Sequence, residues 1–382
     1  MKSKTFCSLP WDTLDTIPDG TLAPCCYFDV HKRVEVSKNS SIEDYTNSAI
    51  LKSVKEKMLG GEKPNECTFC YKREEAGGIS PRTKLSDKAT YEQIVKNEKV
   101  VFKNLHLRNS NICDLKCRSC GPFCSTAWNS DYLNLYPEKT AMIFNIAKNY
   151  KNIFMEIKNL IPHLNHLYLS GGEPLLDKSL DKVLELYSSN TNEDKYLHIQ
   201  TNLSNDKLIS STIGEKVKNI KNCNILISID GVGREAEFIR KGKVWDAFDK
   251  RLNNLLRSKG YFNIIFTMTI SVYNVFHILD VFKYLEGFRE VREFRIELSF
   301  VERPYALNAI NLTNELKIKL ASAYDEFLKS SPRFSIYKGF LEEILNYVNS
   351  EKDKSLTEFY IYTKKLDRIR NENTFKLFPY LR

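Results

Sequence analysis

Four cysteines crowd one short segment, Cys113-Asp114-Leu115-Lys116-Cys117-Arg118-Ser119-Cys120 and then Cys124. The first three have a C-x3-C-x2-C spacing. Three thiolates in so short a loop can bind three irons of a four-iron cubane and leave the fourth iron without a protein ligand. An open iron is what a cofactor needs if it is to coordinate and be reduced there. The same thiolates could hold zinc, which usually takes four protein ligands, and Cys124 is at hand as a fourth. The loop directly follows a β-rich run at 104–108, so it belongs at the C-terminal end of a strand, where barrel folds place their active sites.

A second motif closes the next β-rich run: Leu167-Tyr168-Leu169-Ser170-Gly171-Gly172-Glu173-Pro174. Two glycines let the backbone approach a ligand closely, and Pro174 fixes the turn. In this order and at this distance, the two motifs resemble those of the radical S-adenosylmethionine (SAM) superfamily. There the open iron binds the amino and carboxylate groups of SAM, and electron transfer cleaves SAM to a 5′-deoxyadenosyl radical. The resemblance implies a [4Fe-4S] cluster on Cys113, Cys117 and Cys120, with SAM contacts from Gly171, Gly172, Glu173 and Pro174. It extends to later strand ends. Thr201 and Asn202 stand where ribose contacts are common, and Ser228-Ile229-Asp230-Gly231 looks like a segment of peptide-modifying relatives, adding Ser228 and Asp230. Arg240 matches an arginine that often pairs with the SAM carboxylate, a task that suits a guanidinium fork. One departure is Ser119, where the family usually has an aromatic residue against the adenine; Phe123 is the candidate replacement. No residue stands out as the catalytic group acting on the substrate.

The amino-terminal region carries a second set of thiols: Cys7, Cys25 and Cys26, and Cys67-Thr68-Phe69-Cys70. They suffice for a closed tetrahedral or cubane site. An Asp19-Gly20 turn would let a hairpin bring one stretch of chain back beside another. The G-x4-C from Gly20 to Cys25 resembles the SPASM and twitch domains, auxiliary iron–sulfur modules that normally follow the core; here the similar segment precedes it. The whole pattern looks most like the twitch-domain radical SAM proteins of bacteria and phages. That resemblance implies an auxiliary [4Fe-4S] cluster on Cys7, Cys25, Cys67 and Cys70, with Cys26 competing for the place of Cys25 and zinc as the rival metal. Cys124 and Cys223 are left as spare or buried thiols.

These motifs need elements to hold them. β-rich runs at 104–108, 166–170, 197–201, 225–229, 264–270 and 294–298 alternate with amphipathic stretches at 142–160, 179–187, 245–256 and 275–285. Such alternation predicts a parallel sheet with crossover helices. Six units fall short of a closed eightfold barrel, so the expected fold is α/β, a partial (β/α)6 TIM-like barrel. The expected domains are an iron–sulfur module and connector at 1–95, the core at 96–302, and a helical extension at 303–382. Helices are expected in that extension at 314–328, 337–348 and 358–369.

Composition limits the rest. With 382 residues, 42% of them hydrophobic and 27% charged, the chain has an ordinary globular make-up. No stretch of about 20 apolar residues offers a membrane span, and residues 1–11 do not read as a signal peptide. The expected location is therefore cytoplasmic. There, clustered cysteines point to metal rather than disulfides. The net charge of +9 comes from scattered basic residues; it reads chiefly as solvated helix faces and secondarily as attraction of an anionic substrate or nucleic acid. It is the strand–helix units with a SAM-like site that argue against nucleic acid as a partner.

The expected function is reductive SAM cleavage followed by hydrogen abstraction from a peptide or protein, because SPASM-type relatives often oxidise, crosslink or epimerise peptides. The alternatives are a nucleotide, sugar or other small metabolite as substrate, a non-catalytic iron–sulfur sensor, and a zinc-stabilised nucleic-acid-binding protein. The family resemblance also implies an electron donor such as flavodoxin or ferredoxin.

Overall fold

The computed structural model describes the chain apart from residues 1–3, 76–78, 191–194, 209–210, 259 and 352–353. It contains two compact units. The first comprises Met1–Ile112, Ile143–Gln200 and Ser211–Asn224, and the second Cys113–Met142, Thr201–Ser210 and Ile225–Arg382.

The strands of the first unit are β1 (Thr13–Thr16), β2 (Leu22–Ala23), β3 (Asn104–Leu107), β4 (His166–Leu169) and β5 (Tyr196–Thr201). Their order is β2-β1-β3-β4-β5. β1 pairs antiparallel with β2, and β1, β3, β4 and β5 run parallel. The antiparallel pair is the hairpin expected at Asp19-Gly20. Side chains alternate strictly between the two faces of these strands. Leu105, Leu107, Leu167, Leu169, Leu197 and Ile199 are buried. The intervening residues are polar or aromatic, and the register sets Asp15, His106, Tyr168 and His198 in one cross-strand row. The expected long helix at 142–160 is instead two shorter ones, Ile146–Asn149 and Lys151–Leu160. Tyr150 interrupts them with φ −131° and ψ 62°, and the Asn145 side chain caps the first by accepting from the Lys148 N–H.

In the second unit β6 (Asn222–Ser228), β7 (Asn263–Ile270) and β8 (Phe294–Phe300) follow in that order. Ile225 to Ile227 and Ile264 to Phe266 are continuous buried apolar runs, as strands covered on both faces require. β8 differs: Arg295, Glu297 and Ser299 are exposed along it, the polar dressing that keeps an edge strand from pairing further. Trp245–Arg257 buries Phe248, Leu252, Leu255 and Leu256, and Ile278–Glu286 buries Ile278, Val281, Phe282 and Leu285, each along one helical stripe. The C-terminal extension is helical at Asn314–Ser330, Lys338–Val348 and Thr357–Arg370.

The six strands β3 to β8 alternate with helices and are mostly parallel, which is the α/β partial-barrel class expected from the sequence. The arms of the Asp19-Gly20 hairpin, β1 and β2, lie outside the β-rich runs expected from the sequence. Among the described residues no helix is long and apolar enough to cross a membrane.

Candidate functional site

The second unit holds the C-x3-C-x2-C loop. The loop has no regular secondary structure, so its backbone groups need other partners. The Lys116 N–H donates to the Lys241 carbonyl and the Arg118 N–H to the Ile239 carbonyl, both at 2.8 Å. Trp128 Nε1 donates to the Cys117 carbonyl at 2.7 Å, and Ser125 Oγ to the Leu115 carbonyl at 2.5 Å. Cys117 is buried, Cys113 and Cys120 are half-buried and Cys124 is exposed.

A hydrogen bond from the Cys120 thiol, helped by the positive charges of Arg240 and Lys243, outweighs burial and holds Cys117 down to about 7. Three thiols on one loop, facing two cations, form a donor set that fits an anionic iron–sulfur cluster.

Asn202 reaches the same loop. Its Nδ2 donates to Asp114 Oδ1 at 3.0 Å and lies 3.8 Å from Cys113 Sγ, while Lys243 Nζ donates to the Asn202 carbonyl at 3.2 Å. The Thr201 hydroxyl accepts from the Leu203 N–H and so shapes the turn after β5. Ser228 is buried at the end of β6. Asp230 Oδ2 pairs with Arg240 at 2.8 Å, and Oδ1 accepts from the Thr269 N–H at 2.9 Å. Burial pulls the Arg240 guanidinium down, but Asp230 more than compensates and leaves it above its ordinary value. Phe123 is exposed.

Gly171 to Pro174 lie in the first unit, at the end of β4. Gly171 and Gly172 have φ of +84° and +51°. A Cβ on Gly172 would stand 2.3 Å from the Ile112 carbonyl oxygen, so only glycine fits. The Glu173 N–H donates to that same carbonyl at 2.7 Å, and its buried carboxylate accepts from the Leu175 N–H at 3.1 Å.

Also in the first unit, Cys7, Cys25, Cys67 and Cys70 line one cavity with Pro24, Phe28 and Arg82. Cys67 ends a short 3-10 turn and Cys70 lies in the helix Thr68–Glu75, so their i, i+3 spacing turns both thiols to one side. Burial pushes Cys7 up to about 12 and raises Cys25, Cys67 and Cys70 as well. Arg82 is the cation whose charge opposes that rise at Cys7, Cys67 and Cys70, and it is held by Glu74 and the Phe6 carbonyl. Four converging thiols in an apolar cavity suit a closed metal site, for which zinc and a cubane are both chemically acceptable. Cys26 is exposed and is grouped with Asp15 and His106 instead.

The sequence reading found no chemistry in the C-terminal extension. In the second unit, however, Arg118, between two of the core cysteines, has a fully buried side chain. It pairs with Asp367 at 2.5 Å and Glu372 at 2.6 Å, and its guanidinium lies 3.7 Å from the centre of the Phe238 ring. The Tyr362 hydroxyl donates to the Arg118 carbonyl at 2.8 Å, and Arg370 Nη2 to the Lys116 carbonyl at 2.9 Å. The helix Thr357–Arg370, with Glu372 just beyond it, thus braces the cysteine loop. The available signal was a charged residue set between two cysteines of the motif, with acids at Asp367 and Glu372. Arg118→Met leaves Asp367 without its ion pair and Glu372 with Lys241 alone, and is expected to destabilise the fold by about 3 kcal/mol, read as a lower urea midpoint; an unchanged midpoint would show that the brace carries no stability.

Residues 109–285 match the radical SAM superfamily. No curated protein matches the chain. Among solved structures, SuiB of Streptococcus suis bound to precursor peptide SuiA is 15% identical, over 85% of this chain and 75% of that one, with a TM-score of 0.41. Coproporphyrinogen III oxidase of Escherichia coli is 13% identical over 59% of this chain and 52% of the oxidase, with a TM-score of 0.38. A SAM-dependent methyltransferase, TsrM of Kitasatospora setae, is 12% identical over 51% of this chain and 36% of TsrM, with a TM-score of 0.33.

Proposed function

We propose, on the premise that residues 109–285 are a radical SAM domain and the protein a radical SAM enzyme, that it removes hydrogen from a peptide or protein substrate. Cys113, Cys117 and Cys120 would hold the core [4Fe-4S] cluster, and Gly171 to Pro174, Thr201, Asn202, Ser228, Asp230 and Arg240 are the residues assigned to SAM. When bound, cluster and SAM supply the electron and the 5′-deoxyadenosyl radical that break an unactivated C–H bond. This chain's own residues do the rest. Arg240 and Lys243 set a positive field at the cysteine loop, Asn202 fixes Asp114 within it, and glycine at 171 and 172 lets that turn pack against Arg108 and Ile112.

The peptide assignment rests on the convergence of Cys7, Cys25, Cys67 and Cys70 on one cavity. Those four would hold an auxiliary [4Fe-4S] cluster, the kind of module that accompanies peptide-modifying enzymes of the SPASM type. The proposed electron donor is a flavodoxin or ferredoxin.

The test offers the reconstituted enzyme, with SAM and dithionite, pools of deuterated peptides or of deuterated nucleotides and sugars. Mass spectrometry then reads deuterium in 5′-deoxyadenosine. Transfer from peptide is the expected result. Transfer from the nucleotide or sugar pool alone would overturn the peptide assignment and favour a small-metabolite substrate.

A further inference from the structure

Beside the residues assigned to SAM, the polar face of β1, β3 and β4 in the first unit carries a group that has been given no role: Asp15, Cys26, Arg33, His106, Arg108 and Ser170. Asp15 is fully buried, and Arg108 Nη2 contacts its two oxygens at 2.6 and 2.7 Å. Arg108 Nε also donates to the Thr16 carbonyl at 3.1 Å. His106 lies 3.4 Å from Asp15 through Nδ1 and 2.5 Å from Ser170 Oγ through Nε2, with its ring stacked on Tyr168 at 4.4 Å.

Asp15, Cys26 and His106 have ligand atoms within 4.8 Å of one another, a spacing that could suit a metal. The charges argue otherwise. Both Asp15 oxygens are engaged by Arg108, and a second guanidinium, Arg33, lies close enough for Arg108 to act on it electrostatically. A cation would enter a field already positive.

Arg33 is the unsatisfied member. Among the described residues it makes no ion pair within 4 Å. Its one hydrogen bond, from Nη2 to the Cys26 carbonyl, is long at 3.4 Å, and its Nε is shielded from water with no hydrogen-bond partner. Burial, followed by Arg108, lowers its pKa, while Asp15 and Asp19 counteract this. Asp19 spends an oxygen on the Thr21 N–H and hydroxyl, at 2.9 and 2.8 Å. Burial keeps His106 neutral. Arg108 takes up Asp15, so the Arg33 guanidinium has no carboxylate in contact among the described residues, and one such cation fits a single negative charge better than the double charge of a phosphate.

The position is also informative. Ser170 directly precedes Gly171, and a Cβ on Gly171 would come within 2.8 Å of the Arg108 Cβ. Arg108 therefore adjoins the turn assigned to SAM, where a substrate has to lie if its C–H bond is to be broken.

We propose that Arg33 and Arg108 form a binding site for a carboxylate of the substrate. Arg108, fixed by Asp15 and Thr16, supplies charge at a set position, and Arg33 supplies the donors that close on the ligand. The inference rests on the peptide reading above, since peptides bring carboxylates at side chains and at the C-terminus.

The probe is N-acetylglycinate, a monoanion, followed by ligand-observed NMR with the reconstituted holoprotein. Its neutral amide, N-acetylglycinamide, and inorganic phosphate serve as comparisons. The carboxylate is expected to bind better than the amide, and Arg33→Gln to weaken it about tenfold, as loss of a charge-assisted hydrogen bond would. Arg33→Lys should restore part of the loss. Equal binding of carboxylate and amide, or unchanged binding in Arg33→Gln, would overturn the site; tighter phosphate binding would overturn its assignment to a carboxylate. The two readings fail separately. Deuterium transfer from peptide with unaltered probe binding in Arg33→Gln removes this site alone, and Arg33-dependent probe binding with transfer only from nucleotides or sugars removes the peptide reading alone.

Discussion

Replacing Cys113, Cys117 or Cys120 with alanine is expected to reduce 5′-deoxyadenosine formation under dithionite to the level of a protein-free control. The three thiols come from eight residues of one loop, and each would bind a different iron, so none can stand in for another. Cys124 is the obvious substitute. It is exposed and one turn further on, its N–H donating to the Gly121 carbonyl at 3.0 Å. Cys124→Ala is therefore the control, and it should retain cleavage. If Cys124 were instead the fourth ligand of a zinc site, all four variants would lose metal together and the wild-type protein would carry zinc at this loop. Undiminished cleavage in all three core variants would remove the cluster assignment. A folding defect is separable, because far-UV circular dichroism should stay native while iron falls from about eight to about four per chain and the visible absorption falls with it.

What the sequence revealed and what it hid divide along a physical line. β3 to β8 could be read because period-two alternation, as in Asn104–Leu107 and His166–Leu169, and continuous apolar runs, as in Ile225 to Ile227, are local signals. β1 could not. Asp15 is a poor strand former in the middle of a four-residue strand, and its burial depends on Arg108, 93 positions away. The brace on the cysteine loop was hidden for the same reason, since Arg118 finds Asp367 across 249 positions. Periodicity carries no record of such pairings. The choice between Cys25 and Cys26 was also beyond the sequence. Adjacent side chains leave the backbone in different directions, and only the folded chain shows Cys25 at the cavity and Cys26 toward Asp15 and His106.

Removing both Cys67 and Cys70 is expected to lower iron from about eight to about four per chain, because each cubane is a four-iron unit. The two residues are half of the proposed ligand set, and Cys7 and Cys25 alone cannot hold a cluster against exchange with solvent. In the folded chain the cavity thiols are pushed up by burial, Cys7 to about 12, so without metal they stay protonated and bind little on their own. SAM cleavage should survive in the double variant, because the C-x3-C-x2-C loop is a separate segment with its own hydrogen bonds to Ile239 and Lys241. Conversion of the true substrate should fail, whether the lost cluster acts through electron transfer or through positioning. Metal analysis decides between the rival readings of the cavity. About four irons and one zinc in the wild-type protein would make the amino-terminal cysteines a structural zinc site, and the resemblance to auxiliary iron–sulfur modules would fall with it.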